Sequence, residues 1–228
     1  MGLDGGGRGG GRIRSGRDSI PDAGCRRRRR LNPPEKEERL RLFYAAWIPG
    51  PTAEAAWDHL GALRSSHPSA RWTSWDRYHL TLRFLGEVES VYAPDLSELL
   101  DQVDRTGPWW AELKGLGTFP SRGAPSVLWL GMTCPGLRRV HGELESGLVR
   151  LGFPREQRPF RPHVTVGRLN RRAQGPAPEP DAAFGRWELQ IQRLHLVASD
   201  LRPAGPHYTF LHTVVLSGSP VTREGEEP

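Results

Sequence analysis

The sequence predicts an α+β fold built on mainly antiparallel sheet, and three observations carry that expectation. Apolar runs of strand length interleave with amphipathic helical stretches between residues 35 and 215. Several links between successive strands are too short for helical crossovers, which favours antiparallel pairing. One strand pattern, His-apolar-Thr-apolar, occurs at 79–82 and again at 163–166, although no repeat of 20–50 residues accompanies it.

Each element follows from local pattern. The run 40–48, closed by Pro49-Gly50-Pro51, reads as the first strand. Thr52 caps a helix over 52–64, with Ala55, Ala56, His59, Leu60 and Leu63 at helical spacing. A strand over 77–85 ends at Gly86, and a helix over 93–103 places Leu96, Leu99, Leu100 and Val103 on one stripe. Strands at 110–116 and 126–132 follow, separated by the turn-rich 119–125. Pro135-Gly136 opens a helix to 151, and a strand spans 161–169. A Pro- and Ala-rich loop at 174–183 leads to one long strand at 187–198 and a last strand at 208–216.

Charge separates the folded region from its flank. The chain has 228 residues and 32 Lys+Arg against 26 Asp+Glu, a net charge of +6. Residues 1–34 hold nine Arg and three Asp, which accounts for all of it, and nine of their residues are Gly. The basic balance therefore describes a tail and gives no support to a nucleic-acid-coating surface. With so little apolar content, residues 1–38 are expected to be disordered, as are 218–228, leaving one domain over 39–217.

The two cysteines, Cys25 and Cys134, are too few and too far apart for a disulfide framework or a Cys-based zinc site. No apolar run approaches the ~18–20 residues that span a bilayer. The Arg run at 26–30 is followed by polar residues and not by the apolar core of a signal peptide. A cytoplasmic, monomeric protein without a membrane partner is the expectation.

The repeated motif carries the chemistry. In a strand, alternate side chains share a face. Arg77, His79, Thr81 and Arg83 then lie on one side, with Tyr78, Leu80, Leu82 and Phe84 buried on the other. Arg161, His163 and Thr165 repeat the arrangement. A third copy, His207-Tyr208-Thr209, lacks the aliphatic residue between His and Thr and reads as a chance occurrence. Two imidazoles facing one cleft can act as acid and base near neutral pH. Hydroxyls beside them can hold anionic oxygens and arginine can neutralise charge. That set suits a phosphodiester. No His-Glu-x-x-His run or third ligand points to zinc, so no metal and no cofactor are expected.

In this setting the two motifs resemble those of the 2H phosphoesterase superfamily, in its RNA 2′,3′-cyclic phosphodiesterase branch, the LigT-like proteins once called 2′-5′ RNA ligases. The resemblance runs from Arg41-Leu42-Phe43-Tyr44-Ala45 through His79-Leu80-Thr81-Leu82-Arg83-Phe84-Leu85-Gly86, Val127-Leu128-Trp129-Leu130-Gly131 and Arg158-Pro159-Phe160-Arg161-Pro162-His163-Val164-Thr165. It closes on Ser199-Asp200-Leu201, Gly205 and Tyr208. It implies a bilobal fold, two related sheets flanked by helices around a central cleft. It also implies metal-independent hydrolysis of RNA 2′,3′-cyclic phosphate ends, or of cyclic nucleotides, to 2′-phosphomonoesters.

On this chain the resemblance makes His79 the proton donor and His163 the base, with Thr81 and Thr165 on the phosphate oxygens. Arg168, five places after the second His, would contact the phosphate. Strict alternation turns it away, unless Gly167 marks a bulge. Trp129 and Phe119 are candidate base-stacking residues. Two alternatives remain open: 2′-5′ end joining through the same cleft, and a catalytically silent nucleotide- or RNA-binding module.

Overall fold

In the first strand, β1 (Arg39–Trp47), alternation sorts the side chains onto two faces. Leu42, Tyr44 and Ala46 are fully buried in the main core. Phe43, Ala45 and Trp47 face the opposite way and join Val197 and Tyr208 in a second, smaller cluster. The computed structural model describes residues 38–120, 124–169, 178–203 and 205–218. The expectation of disordered ends therefore falls almost wholly outside the described residues.

After β1 come helices α1 (Gly50–His59) and α2 (Gly61–Ser66), the short strand β2 (Arg71–Trp72) and a 3-10 turn at Trp75–Arg77. Strand β3 (His79–Glu89) and helix α3 (Ala93–Gln102) follow, then β4 (Trp109–Phe119) and β5 (Val127–Thr133). Helix α4 (Pro135–Arg150) leads to β6 (His163–Arg168), β7 (Asp181–Ile191), β8 (Arg193–Arg202) and β9 (Gly205–Val215).

The strands run β7-β4-β5-β6-β3-β1-β8-β9, with β2 beside β6, and every pairing among them is antiparallel. The two expected sheets are the two four-stranded halves of this order. They meet where β3 lies beside β6, through the pair Leu80 and Val164. The halves are related: β1, α1 and α2, and β3 in one correspond to β5, α4 and β6 in the other. Helix α3 buries Leu96, Leu99 and Leu100, and α4 buries Leu137, Val140, Leu144 and Leu148, against one core that includes residues of both halves. Among the described residues no helix is long and apolar enough to cross a membrane.

Several element bounds differ from the sequence expectations. Helix α1 starts at Gly50 with Pro49 at its cap, so Thr52 does not cap it, and β3 runs through Gly86 to Glu89. The long strand at 187–198 is two strands, divided at Gln192: β7 pairs with β4 in one half and β8 pairs with β1 in the other. The end of the expected loop at 174–183 is already strand, since β7 begins at Asp181. The helix at 52–64 is broken at Leu60 into α1 and α2.

Candidate active site

The Leu80–Val164 pair is the centre of the site. Both side chains are fully buried on the core side, so the residues flanking them in each strand point to the opposite face. Antiparallel register about this pair sets His79 across from Thr165, and Thr81 across from His163. The two imidazole-bearing residues are then diagonal neighbours, about 7–8 Å apart at the backbone.

Each ring is fixed in the same way. His79 Nδ1 lies 2.7 Å from the carbonyl oxygen of Arg77, and His163 Nδ1 lies 2.7 Å from that of Arg161. A carbonyl only accepts, so Nδ1 donates in both rings. Each Nε2 is left as the lone pair of the neutral ring or the N–H of the charged one.

Bulges decide what else reaches the cleft. Against β5, Trp129 pairs with Thr165 but Leu128 pairs with Gly167, so Val166 is an extra residue. Beyond it the alternation inverts, and Arg168, opposite Val127, turns to the cleft face. Strand β3 does the same after Thr81: Ala45 pairs with Thr81 but Tyr44 pairs with Arg83. This corrects the expected placement of Arg83 and Phe84. Arg83 turns to the helix side, where it pairs with Glu145 of α4 and donates to the Pro154 carbonyl. Phe84, opposite Phe43, turns out to the cleft face and is 40% exposed. The fifth residue after each histidine thus points into the cleft, an arginine in one half and a phenylalanine in the other.

A cavity of about 570 Å³ is lined by Thr81, Phe84, Phe119, His163, Thr165 and Arg168, and extends to Phe160 and Arg161. Phe119 packs edge-on against His163 with centroids 5.1 Å apart, and Trp129 lies 6.1 Å from the same ring. All seven residues singled out from sequence therefore gather around the β3–β6 junction.

The two rings have unequal surroundings. His79 faces Trp47 across the β1–β3 pair, and the indole stacks on it at 4.5 Å and 18°. Phe43 and Tyr208 add ring contacts at 5.3 and 5.4 Å. At the corresponding place His163 faces Gly131, where a Cβ would come within 2.9 Å of the Lys114 carbonyl oxygen. Burial pushes His79 down to about 4, against the pull of the Arg77 carbonyl, and a charge on His163 would lower it further. His163 is also lowered, by burial first and then by the Arg168 guanidinium. Both rings thus favour the neutral form.

Sequence reasoning missed Trp47, Phe43 and Tyr208 around His79. Phe43 and Trp47 were legible, because they share a phase with Arg41 and Ala45 along β1. Tyr208 lay in the segment set aside as a chance copy. Among the described residues no group of three or more His, Cys, Asp or Glu is arranged to hold a metal ion.

Comparison with known proteins agrees with this geometry. Residues 51–203 match the family model of the 2′-5′ RNA ligase superfamily. The RNA 2′,3′-cyclic phosphodiesterase of Thermus thermophilus is 33% identical over 199 residues, spanning 83% of this chain and 96% of that protein. That of Thermotoga maritima is 30% identical over 187 residues, 78% of this chain and 97% of the relative. Among solved structures, a Thermus thermophilus protein superposes with a TM-score of 0.69 at 31% identity, covering 79% of this chain and all 100% of its own. LigT of E. coli complexed with 3′-AMP gives 0.63 at 30% identity, over 79% and 100%.

Proposed function

Because the chain belongs to the 2′-5′ RNA ligase superfamily, we propose that it hydrolyses RNA 2′,3′-cyclic phosphate ends to 2′-phosphomonoesters by two-histidine acid–base catalysis. The observation that carries this reading is the Leu80–Val164 pair, which sets two imidazoles diagonally across one junction. Both have Nδ1 tied to a carbonyl and Nε2 free for proton transfer. His163 takes a proton from water as its oxygen bonds to phosphorus. The bond from phosphorus to the ribose 3′-oxygen breaks, and His79 delivers a proton to that oxygen. Thr81 and Thr165 donate to the non-bridging oxygens, and Arg168 neutralises the charge that builds on them.

His79 must be charged to act as the donor, yet burial holds it near 4. A phosphodiester anion lying beside the ring favours its protonated form. Substrate binding and arming of the acid are thereby coupled. With the Arg168 guanidinium and an imidazolium to offset the charge on the phosphate, the chemistry needs no metal. Both halves of the site come from one chain, which makes a single copy sufficient, and the reading fits a cytoplasmic RNA-end enzyme. The test is release of 2′-phosphomonoester from a nucleoside 2′,3′-cyclic phosphate in EDTA. Sustained turnover is expected; loss of activity on chelation contradicts the metal-free route, and no turnover by folded protein contradicts the reaction.

A further inference from the structure

Beyond Arg168, two further guanidinium groups, those of Arg41 and Arg77, gather around Tyr208, which packs on His79. We propose that Arg41, Arg77 and Tyr208 form a second phosphate subsite beside the reacting phosphate, which takes the 5′-phosphate of the same terminal nucleotide. This rests on the reaction proposed above.

Three elements build the subsite. Tyr208, on β9, stands edge-on to His79 at 5.4 Å and 78°. Ser199 is its partner across the β8–β9 pair, and Arg41 donates from Nη1 to the Ser199 hydroxyl at 3.4 Å while its guanidinium covers the Phe84 ring at 4.6 Å. Arg77 approaches from the other direction. Its Nη1 occupies the space over Gly205, where a Cβ would come within 2.7 Å, and Gly205 holds φ +114°, which glycine tolerates best.

These guanidinium groups also act on the Tyr208 hydroxyl, which burial raises and Arg77, Arg168 and Arg41 lower. Among the described residues neither Arg41 nor Arg77 is in ion-pair contact with a carboxylate, whereas Arg83, Arg105, Arg139, Arg158, Arg186 and Arg202 each are. Two cations around a phenol that packs on the reacting ring, without a counter-charge of their own, suit a second anion on the same substrate. In a nucleotide with a 2′,3′-cyclic phosphate, that anion is its 5′-phosphate. The preferred substrates are then polynucleotide ends and 5′-phosphorylated nucleotides over nucleoside cyclic phosphates.

The experiment compares kcat/KM for adenosine 2′,3′-cyclic phosphate with and without a 5′-phosphate. The wild-type protein should favour the 5′-phosphorylated substrate by about tenfold, mainly through KM, and Arg41→Met, Arg77→Met and Tyr208→Phe should bring the ratio towards one. A wild-type ratio near one, or a ratio unchanged in all three variants, overturns the subsite. Calorimetry separates this failure from failure of the reaction. Adenosine 2′,5′-bisphosphate should bind more tightly than adenosine 2′-phosphate, and the variants, shown to be folded by circular dichroism, should lose that gain. Equal binding of the two by the wild-type protein overturns the subsite even if neither cyclic substrate is turned over.

Discussion

At the scale of residues, the four His and Thr positions were legible because period-two alternation needs only short-range order. In the proposed mechanism, replacing either histidine removes one proton-transfer partner while its strand keeps the buried neighbours that place it. His79→Ala and His163→Ala should each lower turnover by about 10²–10⁴-fold with folding intact. Near wild-type rates in either variant would remove that residue from the mechanism. The unequal burial of the rings has its own signature in pH. Both pKa values lie below the ordinary 6.5, His79 at about 4. Tyr208, the other titratable ring against His79, is raised and does not enter this window. The reacting pair needs one proton between its two rings. The competent form of the free protein is therefore lost as pH climbs through these lowered values, so the alkaline limb of kcat/KM should lie below 6.5. Bound phosphate raises the pair, so the alkaline limb of kcat should lie at higher pH than that of kcat/KM. The reverse order of the two limbs, read from initial rates across pH 5–9, contradicts the assignment of the proton. The same shifts act on stability with a definite sign: depressed imidazoles bind fewer protons folded than unfolded, so stability is full above 6.5 and declines as pH falls towards 4.

At the scale of elements, sequence reading failed wherever backbone geometry broke the alternation it relied on. Gly167 hinted at one bulge, and Arg168 does come round to the cleft. Nothing in Leu82-Arg83-Phe84 signals the matching bulge in β3, because a bulge there needs no special residue type. The division of 187–198 at Gln192 was equally hidden, since apolar character continues through β7 into β8 although the two belong to different halves. The two residues of β2 are too few to show any period. The β3 bulge makes a sharp prediction. Arg83 and Glu145 side chains are 10% and 7% exposed, so truncating the arginine leaves a buried carboxylate without its partner. Arg83→Ala should destabilise the protein by about 3–5 kcal/mol in chemical denaturation. The folded fraction should keep its kcat, because the guanidinium, although it borders the cavity, is held by Glu145 and the Pro154 carbonyl and not left for the phosphate. Loss of kcat with unchanged stability would mean that simple alternation was right and the bulge wrong.

At the scale of the whole molecule, two similar pieces suggest two lobes that fold separately, and the packing argues otherwise. The sheet passes from one half to the other at Leu80 and Val164, both fully buried. A single core cluster takes in Leu42 and Tyr44 of one half together with Leu128, Leu130 and Val166 of the other. The helices tie the halves further: α1 touches β7, α3 touches β8 and β9, and α4 touches β3. The chain leaves one half at Ile191 and enters the other at Arg193, so β4 to β7 are one stretch inserted into the other half, whose β1 and β3 precede it and whose β8 and β9 follow it. Unfolding one half would strip apolar surface from the other, and a partly unfolded state has little to hold it. Equilibrium urea unfolding should therefore be one cooperative transition, with coincident midpoints by tryptophan fluorescence, which samples Trp47 in one half and Trp129 in the other, and by far-ultraviolet circular dichroism. Leu80→Ala should shift that single midpoint by the about 2–5 kcal/mol of a core cavity. The same variant loosens the one pair that sets the distance between the two imidazoles, so kcat should drop with it. Two resolved transitions would instead make the halves independent lobes and leave the site dependent on how they dock.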